Sequence, residues 1–154
     1  LKVLKKMGCK ILIGKNFISL SITKKLLPVK IKTGPYPQYA TDNMPILLAL
    51  LTNVLGKSEI NETIFSNRFM AAPELSRMGA KILINNNIAQ VQGQKFLNAA
   101  ECISSDLRTT FSLILGAMSA NGTSKIHRIY HGLRGYENLT GKMRKIGIKI
   151  KIEN

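Results

Sequence analysis

Few side chains in this sequence could do chemistry, and those few are placed regularly. Only two aspartates occur, and each stands ahead of an apolar run: Thr41-Asp42 before Met44 to Leu55, and Ser105-Asp106 before Leu107 to Ala120. In such a place a carboxylate can accept backbone N–H groups as a helix cap. Of the six arginines, Arg68 and Arg134 follow strand-like segments in matching surroundings, Asn67-Arg68-Phe69 and Leu133-Arg134-Gly135. A guanidinium there can grip a carboxylate or phosphate through two parallel hydrogen bonds. Taken singly, an Asp ahead of a helix is ordinarily a plain cap, and such an Arg is ordinarily a solvated charge or an ion pair. The same acid and the same base recurring at the same two loop types make a shared cleft rim the competing reading, because loops at strand ends are where α/β units hold ligands.

The remaining candidates carry less. Cys9 follows a Gly at a helix-to-strand junction and reads as a core residue, and Cys102 reads as structural. His127 and His131 flank a strand without a partner at metal-ligand spacing, so they read as core or edge histidines and no metal site is expected. Lys15-Asn16 falls at an expected hairpin tip and is given no catalytic part. Two cysteines so far apart form no disulfide framework and suit a reducing, cytosolic setting.

The elements that must hold these residues form a repeat. Leu4 to Ile13, Leu75 to Ile84 and Met143 to Ile152 read alike, and their glycines, Gly8, Gly79 and Gly147, are 71 and 68 residues apart. In each, a basic amphipathic helix meets a Gly suited to the left-handed C-cap, and a β-branched strand follows, over Ile148 to Ile152 in the third. Gly14-Lys15-Asn16 and Asn85-Asn86-Asn87 then turn the first two strands back as hairpins. Upstream, strands are expected over Ser58 to Ile64 and Thr123 to Tyr130, after the two helices that Asp42 and Asp106 open. The unit reads strand, helix, strand, helix, strand, strand, with residues 1–33 as the tail of one copy, 34–95 as a whole copy and 96–154 as the last.

Composition narrows the class. With 154 residues and 45% apolar content the chain can bury a core. Its longest apolar run, Ile46 to Leu51, is far short of the roughly 20 residues a membrane span needs. The net charge of +15 invites a nucleic-acid reading. The 17 lysines are scattered, however, with no basic block longer than two and no nucleic-acid motif, so they read as solvated surface and no specific nucleic-acid partner is expected. Leu1 to Met7 is Lys-rich and amphipathic without an apolar signal region, and the chain reads as a piece of a longer one.

From Leu1 onward the chain resembles the C-terminal part of the UDP-N-acetylglucosamine 1-carboxyvinyltransferases, enolpyruvyl transferases that commit UDP-N-acetylglucosamine to peptidoglycan synthesis. The resemblance rests on ordered blocks: Pro35-Tyr36-Pro37 with Thr41-Asp42, Glu62-Thr63-Ile64-Phe65 with Asn67-Arg68-Phe69-Met70, Pro73 to Ala80, Asp106-Leu107-Arg108, and Arg128 to His131 with Arg134-Gly135-Tyr136-Glu137. It implies an inside-out α/β barrel of two domains built from βαβαββ units, whose order of elements is the one read from the repeat.

It also implies addition and elimination between phosphoenolpyruvate and the sugar 3-hydroxyl, through a tetrahedral phospholactoyl species, with phosphate released in the cytoplasm and neither cofactor nor metal ion required. Asp42 then lies against that hydroxyl, as a carboxylate that only accepts hydrogen bonds. Ile64 contacts the UDP-sugar through its backbone, and Arg134 grips phosphoenolpyruvate. Arg108 and Arg68 add cationic contacts, while Asp106 is a cleft carboxylate tied to closure and proton transfer. The family's Lys-Asn pair and its reactive loop, with a Cys or Asp acid and neighbouring arginines, belong to an upstream N-terminal region outside this sequence, so this chain alone is expected to be inactive. The sequence departs from the family pattern at Gln38, Tyr39 and Ala40, where Gly-Phe-Pro is usual, and at Met44, Ser66 and Leu133. Two other readings compete: a basic RNA-associated module of the related RNA 3′-terminal phosphate cyclase type, against which the ordered blocks speak, and a decayed remnant without activity.

Overall fold

The computed structural model describes residues 1–153, so the last residue of the expected third copy, Asn154, lies outside the described residues. The chain begins with α1 (Lys2–Lys6), the hairpin β1 (Lys10–Ile13) and β2 (Ile18–Ser21), and β3 (Lys30–Lys32). A 3-10 turn over Thr41–Asn43 runs into α2 (Met44–Leu51), followed by β4 (Gly56–Asn61), α3 (Ala71–Arg77), β5 (Lys81–Asn85) and β6 (Ile88–Gly93). The last part holds β7 (Leu97–Asn98), β8 (Glu101–Ile103), α4 (Leu107–Met118), β9 (Ala120–Asn121), β10 (Lys125–His127), α5 (Tyr130–Leu133) and α6 (Leu139–Lys145). From β3 to β6 the order is strand, helix, strand, helix, strand, strand.

Three equivalent glycines end three equivalent helices. Gly8, Gly79 and Gly147 have φ of +96°, +85° and +88°, a region other residues enter at a cost. The N–H of the next residue (Cys9, Ala80, Ile148) donates to the carbonyl of Leu4, Leu75 or Met143 at 2.9–3.1 Å, and the glycine N–H donates to Lys5, Ser76 or Arg144. This paired closure satisfies carbonyls that a helix end leaves open.

Strands β3 to β6 form one sheet in the order β3-β4-β6-β5, with β3 and β4 parallel and β6 antiparallel to both its neighbours. Along β6, Ala89 and Val91 are buried and Gln90 and Gln92 exposed, so one face meets the core and the other water. Two shorter parallel pairs, β8 with β10 and β7 with β9, repeat the parallel relation in the last part.

Helix α2 is apolar nearly all round, with Met44, Pro45, Leu47, Leu48, Ala49 and Leu51 buried, as a central helix requires. It packs beside α4 in the same direction. Asp42 and Arg108 meet at their starts, and at their ends Asn53 Nδ2 donates to Ser119 Oγ at 2.8 Å.

Four expectations are corrected. The helix expected to reach Leu55 ends at Leu51, and the strand expected to reach Ile64 ends at Asn61. The strand expected over Thr123 to Tyr130 shrinks to Lys125–His127, because Tyr130 already starts α5 and packs its ring against His131. Ile148 to Ile152 form no strand, since among the described residues no neighbouring strand offers them a ladder. The β1–β2 hairpin does form, with Lys15-Asn16 in its tip, but its apolar side chains Leu12, Ile13, Phe17 and Ile18 lie exposed.

A β-carbon on Gly93 would stand 1.7 Å from the Val54 carbonyl oxygen, a backbone atom that cannot turn aside, whereas one on Gly14 would meet the movable Phe17 ring. Gly93→Ala is therefore expected to cost about 3 kcal/mol or more and Gly14→Ala well under half of that, measured by chemical denaturation. Equal costs would contradict the packing described.

Candidate active site

Every residue singled out for chemistry lies just beyond the C-terminal end of a parallel strand. The chain leaving β3 carries Asp42, that leaving β4 carries Ile64 and Arg68, that leaving β8 carries Asp106 and Arg108, and that leaving β10 carries Arg134. Parallel pairing forces these ends to one side of each pair. The side-by-side starts of α2 and α4 then join the two groups.

Asp106 caps α4 as expected. Its Oδ1 accepts the N–H groups of Arg108 at 2.6 Å and Thr109 at 2.9 Å, and its Oδ2 accepts the Thr109 hydroxyl at 3.1 Å. Both oxygens are engaged, and the backbone of Arg108 is fixed by them.

Asp42 is not a cap, contrary to the expectation. It sits within the 3-10 turn, and Pro45 in the first turn of α2 has no N–H for a capping side chain to satisfy. Its carboxylate turns instead to two guanidiniums, Arg108 Nη2 at 2.7 Å and Arg68 Nη2 at 3.3 Å. Both land on the same oxygen, Oδ1. Among the described residues no donor reaches Oδ2, and the side chain is 61% exposed.

Arg68 is held from several sides and is only 16% exposed. Its Nε donates to the Thr41 hydroxyl at 3.2 Å, and its guanidinium carbon lies 4.3 Å from the centre of the Phe65 ring. The Thr41 hydroxyl donates in turn to Glu62 Oε2 at 2.9 Å. Glu62 is 1% exposed, and its other oxygen accepts the N–H groups of Ile64 at 2.8 Å and Phe65 at 3.2 Å. Glu62 and Thr41 were visible in the sequence only as members of motif blocks. Nothing about their spacing, 21 residues apart, announces that they touch.

Comparisons with known proteins give the family. A family model described as EPSP synthase (3-phosphoshikimate 1-carboxyvinyltransferase) matches residues 1–143. The chain belongs to this family of enzymes. Its relatives include the UDP-N-acetylglucosamine 1-carboxyvinyltransferases of Pelagibacter ubique, 48% identical over 151 residues, and of Campylobacter jejuni, 48% identical over 147 residues. These alignments take in 98% and 96% of this chain but 36% and 35% of the relatives, so the chain spans about a third of their length. The enolpyruvyl transferase NikO of Streptomyces tendae superposes with a TM-score of 0.89 at 26% identity, over 97% of this chain and 35% of that one. An EPSP synthase of Acinetobacter baumannii shares the fold, with a TM-score of 0.66 at 17% identity over 97% of this chain and 36% of its own. The α/β fold is thus that of the enolpyruvyl transferases.

In this family member the segment carrying Arg134 docks on α4, while among the described residues the Arg134 guanidinium makes no ion pair with Asp42 or Asp106. A β-carbon on Gly132 would stand 2.4 Å from Thr110 Cγ2, and one on Gly135 2.6 Å from Leu107 Cδ1, so the segment carrying Arg134 lies directly on the first turns of α4. Arg134 itself is exposed at the end of α5. Beside it, burial first pushes the Tyr136 phenol up, with Arg108 pulling it down and Asp106 raising it. The Ile64 N–H is already donated to Glu62, and Ile64, 41% exposed, is one of the residues Glu62 to Asn67, Asn86 and Asn87 that line an open depression of about 490 Å³. Burial first and Glu74 second push the Cys102 thiol up, the opposite of what a nucleophile needs.

The two aspartates should therefore answer differently to substitution. Asp106→Ala is expected to cost about 1–2 kcal/mol as the loss of a cap. Asp42→Ala, an exposed pair partner, should cost under about 1 kcal/mol. Denaturant midpoints of the two variants in the folded protein decide it; the reverse order would make Asp42 the structural residue.

Proposed function

We propose that this chain is the C-terminal portion of a transferase that moves the enolpyruvyl group of phosphoenolpyruvate onto the 3-hydroxyl of UDP-N-acetylglucosamine and releases phosphate, the first committed step of peptidoglycan synthesis, carried out in the cytoplasm. The observation that carries this reading is the state of Asp42: two guanidiniums share Oδ1, while among the described residues Oδ2 of this 61% exposed side chain has no donor and can accept the proton of a hydroxyl. The relatives that match almost the whole chain at 48% identity bear the name of this activity.

In this reading the sugar hydroxyl donates to Asp42 Oδ2 and gives up its proton as its oxygen bonds to C2 of phosphoenolpyruvate. The methylene carbon takes a proton from an acid of the upstream region, and the tetrahedral species collapses as phosphate leaves and a methyl proton is returned. Arg134 grips the phosphoenolpyruvate anion bidentately, and Arg108 adds charge at the start of α4, where the helix end itself favours anions. Arg68 holds Asp42, and Asp106 holds Arg108 and moves with it on closure. Ile64 meets the UDP-sugar through its carbonyl. The units 1–33, 34–95 and 96–154 take their places in an inside-out barrel, and the bare β1–β2 hairpin meets the N-terminal part of the same polypeptide. The substrates are small molecules, with no cofactor and no nucleic-acid partner.

The test is phosphate release from phosphoenolpyruvate, dependent on UDP-N-acetylglucosamine, by the complete polypeptide that carries this chain. Asp42→Asn is expected to lower turnover by roughly 10²- to 10⁴-fold, and Arg134→Lys to raise the KM for phosphoenolpyruvate and lower turnover. The 154-residue chain by itself should release none. Parent-like rates in both variants, or turnover by the isolated chain, would contradict the reading.

A further inference from the structure

We propose that Glu62 is a positioning residue that aims Asp42, acting through the Thr41 hydroxyl and the Arg68 guanidinium; the proposal rests on the reading of Asp42 given above. Glu62 is the one charged side chain among the described residues that is fully buried. Burying a carboxylate is costly unless donors surround it, and here three do: the N–H groups of Ile64 and Phe65 on Oε1 and the Thr41 hydroxyl on Oε2.

The direction of the chain follows from what each group can do. A carboxylate only accepts, and a hydroxyl has one proton. With that proton committed to Glu62, Thr41 offers Arg68 only lone pairs, which is what the Arg68 Nε–H at 3.2 Å requires. Fixing Nε fixes the plane of the guanidinium, and with it the position of Nη2 against Asp42 Oδ1. Glu62 acts on that plane a second time from below, because the Phe65 ring under the guanidinium belongs to a residue whose backbone N–H Glu62 holds. Charges then alternate along the row: Glu62, Arg68, Asp42, Arg108. Pinning Oδ1 from Arg68 and Arg108 leaves Oδ2 as the oxygen presented to the cleft.

The experiment uses Thr41→Val, which removes the bridging hydroxyl while keeping shape, Thr41→Ser, which keeps the hydroxyl, and Glu62→Gln, all in the complete polypeptide. Thr41→Val is expected to lower kcat by roughly 10- to 100-fold, as small misplacements of a reacting group do, with little change in the KM for phosphoenolpyruvate. Thr41→Ser should restore most of the rate. In an Asp42→Asn background Thr41→Val should cost almost nothing further. A parent-like kcat in Thr41→Val, or the same fold-loss in both backgrounds, would overturn the proposal.

A second readout does not depend on turnover. The Arg68 Nε–H nitrogen-15 signal should be protected from exchange in the parent and Thr41→Ser, lost in Thr41→Val, and displaced in Glu62→Gln, whose amide offers Thr41 a donor instead of an acceptor. If that signal ignores all three substitutions, the positioning chain does not exist. If it responds as stated while the parent shows no turnover with the two substrates, the chain stands and it is the assignment of the reaction that fails.

Discussion

The arrangement turns on one carboxylate oxygen. Oδ1 of Asp42 receives Arg108 from the start of α4 and Arg68 from the loop beyond β4, and so ties together the loops that leave β3, β4 and β8. That meeting is possible only because α2 and α4 lie side by side in the same direction, with the apolar surface of α2 buried between the sheet and α4. It also needs Asp106 to hold the backbone of Arg108 and Glu62 to hold the backbone of Phe65.

Magnitudes say what this oxygen is for. An ion pair on a side chain 61% exposed contributes at most about 1 kcal/mol to stability. Each fully buried core side chain, such as Leu48, Leu51, Leu75 or Leu113, contributes about 1.5–3 kcal/mol by removal from water. The core therefore supplies the stability, and the charged row supplies orientation. Under the proposed function, a row that holds one oxygen of Asp42 twice and leaves the other without a donor suits a hydroxyl acceptor better than it serves folding.

Much of this was legible in the sequence, for identifiable reasons. The repeat glycines showed because a left-handed helix end demands that residue, and all three helices close by the same pair of hydrogen bonds. The Asp106 cap showed because capping is local, spanning three residues. Asp42 looks the same in sequence but behaves differently, because Pro45 removes a donor and a neighbouring helix supplies Arg108. The contact of Thr41 with Glu62 was invisible because it depends on how β3 and β4 pair, not on any spacing along the chain. The Ile148 to Ile152 run misled for the opposite reason: its strand propensity is real, but a strand needs a neighbour.

The central claim is that Asp42 is aimed at a substrate hydroxyl by the groups that hold its other oxygen. A crystal structure of the complete polypeptide with UDP-N-acetylglucosamine bound tests it most directly. The account predicts the sugar 3-hydroxyl within about 2.6–3.2 Å of Asp42 Oδ2, with Arg68 and Arg108 still on Oδ1. A bound sugar whose 3-hydroxyl lies away from Asp42, with the carboxylate facing solvent, would contradict it.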